Sequence, residues 1–99
     1  AIAHQLANQL DIAAGLESLA SVAGAQQAAQ RTIQLLGASA SLRARIGVPL
    51  PASDQPHYQQ RMAAARAQLD ETTYASAYAQ GYAMTPDQAV VVALGAIQV

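Results

Sequence analysis

About a quarter of the 99 residues are alanine, and phenylalanine, tryptophan and cysteine are absent. Alanine is the strongest intrinsic helix former and fills little volume. A chain made this way builds a thin core from helices that approach closely, near the short end (~8 Å) of the usual interaxial range. The length suffices for one small domain and not for two. Without cysteine there is neither a disulfide framework nor a thiolate metal site, and a cytoplasmic protein is the natural expectation.

Apolar positions recur at spacings of three and four, the period of a helix face. Ile2, Leu6, Leu10, Ala13, Leu16 and Ala20 form such a stripe, widened by Ile12, Leu19 and Ala23. The first helix is expected over about 2–23, with Gly24 at its end. A second, about 25–46, carries two adjacent stripes: Ala29, Ile33, Leu36, Ala40, and Leu35, Leu42, Ile46. A helix with two apolar faces lies between layers. Gly47 stops it, and Pro49 and Pro51 force an extended path. Ser53 or Asp54 is the expected cap of a third helix, with Pro56 in its first turn. That helix buries Tyr58, Met62, Ala65 and Leu69 and turns Gln59, Gln60, Arg61, Arg66 and Gln68 to water.

Asp70 is the expected cap of a fourth helix, about 71–82. Gly81 would loosen its end so that Met84 can fold back. Thr85-Pro86-Asp87-Gln88 has threonine at the cap, proline at the first helical position and glutamine three residues after the cap, which is a capping box. The fifth helix then covers about 86–94, fraying toward Val99. No segment alternates with period two. The expected fold is all-α: about five helices in antiparallel hairpins joined by short turns.

Tyr74, Tyr78 and Tyr82 lie four apart, so they form one stripe slanting by about 40° per step. The rings can receive a partner, or they can supply the volume that Ala75, Ala77, Ala79 and Ala83 leave unfilled, with hydroxyls at the rim.

Chemistry-bearing patterns are missing. Net charge is −1, and the five basic residues, Arg31, Arg43, Arg45, Arg61 and Arg66, are spread over two predicted helices, the second and the third. A duplex-binding domain concentrates them on one face, so direct nucleic-acid binding is not expected. The uncharged run 89–99 is shorter than the roughly 20 residues a membrane span needs. No signal-peptide pattern opens the chain; it starts in helical rhythm and reads as a piece of a longer polypeptide. His4 and His57 lie in different segments without companions, and adjacent Asp70 and Glu71 suit a helix start. Arg43 and Arg45 sit near a helix C-terminus, where cations complement the dipole. The glycines form no phosphate-binding loop. No catalytic residue, cofactor site or metal site is expected.

Four groups of residues, taken in order, carry a resemblance. They are Ile33, Leu35, Leu36, Gly37, Ala38, Leu42 and Arg43; then Gly47, Pro49, Leu50 and Pro51; then Tyr58, Ala65 and Leu69. The last is Ala77, Ala79, Gly81, Met84, Thr85, Asp87, Gln88, Ala89 and Val90. In this order and spacing the chain, from about 16 to 94, resembles the C-terminal tetratricopeptide-like region of bacterial LuxR-type and SARP-type transcriptional regulators and related predicted ATPases. It departs at Tyr74 or Tyr78, where the family often has Trp or Phe, and at Gln80, often acidic there.

The resemblance implies a helical-repeat domain: a hairpin over 1–46, a proline-rich connection over 47–56 and a three-helix cap over 57–99. Solenoids need at least about three repeats, so one hairpin implies the end of an array whose terminal unit differs from its siblings. The implied role is a non-enzymatic interaction or assembly arm, with nucleotide and DNA sites elsewhere in the full chain. Its partner would be protein: the preceding repeats, another subunit or a second copy. Tyr74, Tyr78, Tyr82, Leu6 and Leu10 are the expected interaction surface. The alternative is a small-molecule sensor with a groove by Tyr74, Tyr78 and Met84.

Overall fold

A computed structural model describes the backbone of residues 2–95 and the side chains of residues 8–94. Five α-helices follow one another: α1 (Ile2–Ala25), α2 (Ala29–Ile46), α3 (Gln55–Arg66), α4 (Glu71–Ala83) and α5 (Pro86–Gly95). A short 3-10 turn, Ala52–Asp54, precedes α3. Among the described residues there are no strands. The all-α expectation is met.

Local chemistry sets the boundaries. Asp70 stands in extended backbone and accepts the Thr73 amide, capping α4. Thr85 and Gln88 exchange two hydrogen bonds at the start of α5: the Thr85 amide donates to Gln88 Oε1 (3.0 Å), and the Gln88 amide donates to Thr85 Oγ1 (3.1 Å). Two amide donors that the first helical turn leaves unpaired are thereby satisfied. Gly47 ends α2 in the left-handed region (φ 71°), and its amide and that of Val48 both reach the Arg43 carbonyl.

Four boundaries differ from expectation. Helix α1 runs past Gly24 to Ala25, and Gln27 takes the left-handed conformation (φ 60°). The Ala28 amide then reaches back to the Ala23 carbonyl (2.9 Å), a six-residue closure that fixes the turn whatever residue occupies the bend. Helix α2 accordingly starts at Ala29 rather than near 25. Asp54 makes no side-chain cap bond, because its backbone is already helical (φ −95°, ψ −13°). Helix α3 stops at Arg66, and residues 67–69 form turns closed by the Gln68 and Leu69 amides.

Helix α2 is the centre. Helices α1 and α4 each pack along it, while α3 and α5 pack against both α1 and α2. The α1–α2 hairpin is antiparallel: Ala20 meets Thr32, whereas Glu17, earlier in α1, meets Ser39 and Arg43, later in α2. The larger core holds Leu16, Ala20 and Ala23 of α1, Leu35, Leu36 and Ala38 of α2, and Ala89 and Ala93 of α5. A second core joins Ala29 and Ile33 to Ala65 and Ala77, with Tyr74 and Tyr78 packed on it. Helix α2 serves both cores, but not one stripe to each: Ala29 and Ile33 join the second core, whereas Leu36 of the same stripe joins Leu35 in the larger one. Thr32, fully buried, stays satisfied by donating to the Ala28 carbonyl (3.1 Å).

Glycine sets how closely α4 approaches. A Cβ on Gly37 would come 2.7 Å from the Tyr78 carbonyl oxygen, and one on Gly81 would collide with the Gln34 carbonyl. Gly81 therefore does not loosen the end of α4. It lies buried inside that helix, where only hydrogen fits against the α2 backbone.

Candidate functional site

The expected surface divides between two sides of α2. Tyr74 is half-buried on the second core, with the Arg66 guanidinium 4.5 Å above its ring centroid. Tyr78 packs on the same core and stacks on Tyr82 (6.1 Å between centroids, 27° between planes). Tyr82 is 45% exposed, so the stripe runs from core to solvent. Leu10 is half-buried on α1. The Leu6 and His4 side chains lie outside the described residues. Gln34 Nε2 donates to Gln80 Oε1 (2.9 Å) beside this crossing; an acidic residue at 80 would accept the same bond.

The most polar buried cluster lies elsewhere, where α1, α2 and α3 meet. Arg43 Nε donates to Glu17 Oε2 (2.6 Å) and Arg43 Nη2 to Glu17 Oε1 (3.0 Å). The Ser39 hydroxyl donates to the same Oε2 (2.5 Å). The side chains of Arg43 and Glu17 are only 9% and 14% exposed. A two-pronged guanidinium–carboxylate pair has the geometry that offsets part of the cost of burying charge. Its hydrogen bond to Glu17 is the main cause holding the Arg43 pKa above its ordinary value. The dipole reading of Arg43 is thus incomplete: its side chain reaches back across α1. Arg61, expected in water, is half-buried and donates to the Glu17 backbone carbonyl (3.4 Å).

Tyr58 of α3 packs on the main core beside this cluster. Burial first, then the neighbouring Tyr78 and the Glu17 carboxylate, pushes its phenol up to about 12. Burial likewise raises the Tyr78 phenol. Both rings therefore stay neutral donors well above physiological pH.

Two hollows flank the cluster. The larger, about 550 Å³, is bounded by Glu17, Ser39 and Arg43, by Ala40, Ala44 and Gly47 of the α2 wall, and by Pro49, Leu50, Gln55, Tyr58 and Gln59. The smaller, about 350 Å³, shares Glu17, Arg43, Leu50 and Tyr58 and adds Asp54, His57 and Arg61. A third, about 200 Å³, lies by Thr32, Ala65 and Gln68. None of the three has Tyr74, Tyr78 or Tyr82 in its wall. Among the described residues no three His, Asp or Glu side chains gather as metal ligands, and no helix is long and apolar enough to cross a membrane.

Sequence patterning alone did not point to the Glu17 cluster. One signal was present: Glu17 is the only charged residue between Asp11 and Arg31, and it interrupts an apolar stretch. Comparison with known proteins adds no further constraint, since no family model, curated protein or solved structure matches the chain.

Proposed function

We propose that this chain is a non-enzymatic helical-repeat module that binds protein, the interaction and assembly arm of a bacterial transcriptional regulator. The supporting observation is where the residues of the resemblance fall. Ile33, Gly37, Ala77 and Gly81 lie where α2 meets α4, and Leu35, Leu36, Ala38 and Ala89 lie in the main core. Gly47 and Thr85 end or begin helices. These positions govern how helices nest, which is what a repeat unit must preserve. Outer positions remain apolar on α1, α4 and α5: Val22, Tyr82, Val90, Val91 and Leu94 are each more than a third exposed. Such residues suit contact with neighbouring hairpins or a second subunit.

Sedimentation of the chain, alone and mixed with the preceding hairpins of the regulator supplied as a separate polypeptide, tests the proposal. Association at micromolar concentration, weakened when Val91 and Leu94 become serine, is the expected result. Two independent species at high micromolar concentration would refute it.

A further inference from the structure

The hollow of about 550 Å³ falls within the range of small-molecule sites, roughly 300–1,000 Å³. Its walls are mainly apolar: Ala40 and Ala44 along α2, Pro49 and Leu50 from the connection, and the Tyr58 ring from α3. Small side chains at 40 and 44, one turn apart, keep the α2 wall low. The polar end is the Glu17–Arg43–Ser39 cluster.

That cluster retains unused valence. Among the described residues, Glu17 Oε2 accepts from both Ser39 and Arg43, whereas Oε1 accepts from Arg43 Nη2 alone, which leaves it a lone pair. Arg43 Nη1 reaches the Val48 and Pro49 carbonyls (3.4 and 3.5 Å), and Nη2 gives one hydrogen to Glu17, so its second hydrogen has no acceptor among the described residues. Acceptor and donor stand side by side on a pair that is internally neutral. A carboxylate guest would meet Glu17, and an ammonium guest would meet Arg43. A neutral amide supplies one donor and one acceptor and upsets neither. Buried ion pairs are seldom needed for stability, since well-packed apolar residues often serve as well. Holding a polar guest gives this one a use.

We propose that the hollow between α1, α2 and α3 binds an uncharged, mostly apolar molecule that presents a carboxamide to Glu17 and Arg43. The site is separate from the outer apolar positions assigned to protein contact.

The test uses 2-naphthamide as neutral probe and 2-naphthoate as its charged counterpart, titrated into the chain with fluorescence and amide chemical shifts as readouts. Saturable one-site binding of 2-naphthamide is expected, with shifts centred on residues 40–44 and 55–59 and with 2-naphthoate at least fivefold weaker. Ala44→Trp and, independently, Gln59→Trp fill the hollow from exposed positions. Each should weaken 2-naphthamide at least tenfold, with helicity by circular dichroism unchanged, while Val91→Ala leaves binding intact. Absence of saturable binding to the wild-type chain, equal binding of the two probes, or undiminished binding to either folded tryptophan variant would overturn the proposal.

Discussion

Replacing Gly81 by alanine puts two effects of opposite sign in competition. Within a helix, alanine is favoured over glycine by about 1 kcal/mol, so a glycine present only to loosen α4 would make Gly81→Ala stabilising. The close packing of α4 on α2 opposes this more strongly. The new methyl meets the backbone carbonyl of Gln34, which cannot rotate aside as a side chain can. To restore van der Waals contact, α4 must withdraw from α2 by more than about 1 Å. A radial gap of that size forfeits a quarter to a half of each affected dispersion contact, and here the contacts include Ile33 with Ala77 and Tyr78. Overpacking of this kind costs about 1–3 kcal/mol, and an unyielding backbone places it at or above the upper end. The net expectation is a loss of about 2 kcal/mol, or roughly 8–16 °C in Tm for a domain of this size.

Gly15→Ala is the matched control. Gly15 lies in α1, and an added Cβ meets nothing within 4 Å. That change should gain about 0.5–1 kcal/mol. Chemical denaturation of both variants, with equal m-values, reads the two signs directly. Stabilisation by both, or a Gly81→Ala change of less than about 0.5 kcal/mol, would refute the close approach of α2 and α4.

Three further outcomes follow from the site and the caps. Glu17→Ala leaves Arg43 without its carboxylate and should cost toward the low end of about 3–5 kcal/mol, whereas Glu17→Leu with Arg43→Met should cost much less; equal losses in urea melts would contradict the pairing. Thr85→Ala should cost about 1 kcal/mol by removing a working cap, while Asp54→Ala, which loses no cap bond, should change little in the same assay. For Tyr58, the unfolded chain releases the phenolic proton near 10.0 and the folded chain holds it to about 12. Between those limits the unfolded state binds fewer protons, so stability falls as pH rises through that window. Tyr58→Phe should flatten part of the fall in pH-dependent denaturation, with Tyr78 supplying the rest; an unchanged profile would sink the assignment.

How much could be read without coordinates depended on whether the signal was local. Thr85–Gln88, Asp70 and Gly47 act within four residues of themselves, and each does in the structure what its residue type dictates. Periodicity on α2 foretold burial on more than one face, but not which residue joins which core: Leu36 shares a stripe with Ile33 and packs in the other core. Gln27 gave no warning, since nothing about a glutamine marks a left-handed bend; the Ala28–Ala23 closure imposes it. Glycine in a helix is ambiguous in the same way. At 81 only the presence of the α2 backbone decides between looseness and close contact. Glu17 and Arg43 are 26 residues apart, so pairing them required knowing which faces of α1 and α2 meet. The larger hollow was hidden for the same reason: three helices and the proline-rich connection contribute to it, and no single stretch of chain carries its outline.

The organising idea is that α2 is buried from both sides and holds the other helices in place. Native-state hydrogen exchange of the amides from Thr32 to Leu42 probes this most directly. These amides should exchange only through global unfolding, with opening free energies equal to the stability measured by denaturant, while parts of α3 and α5 open more readily. Exchange in α2 that is faster than in α3 or α5, or independent of global stability, would contradict it.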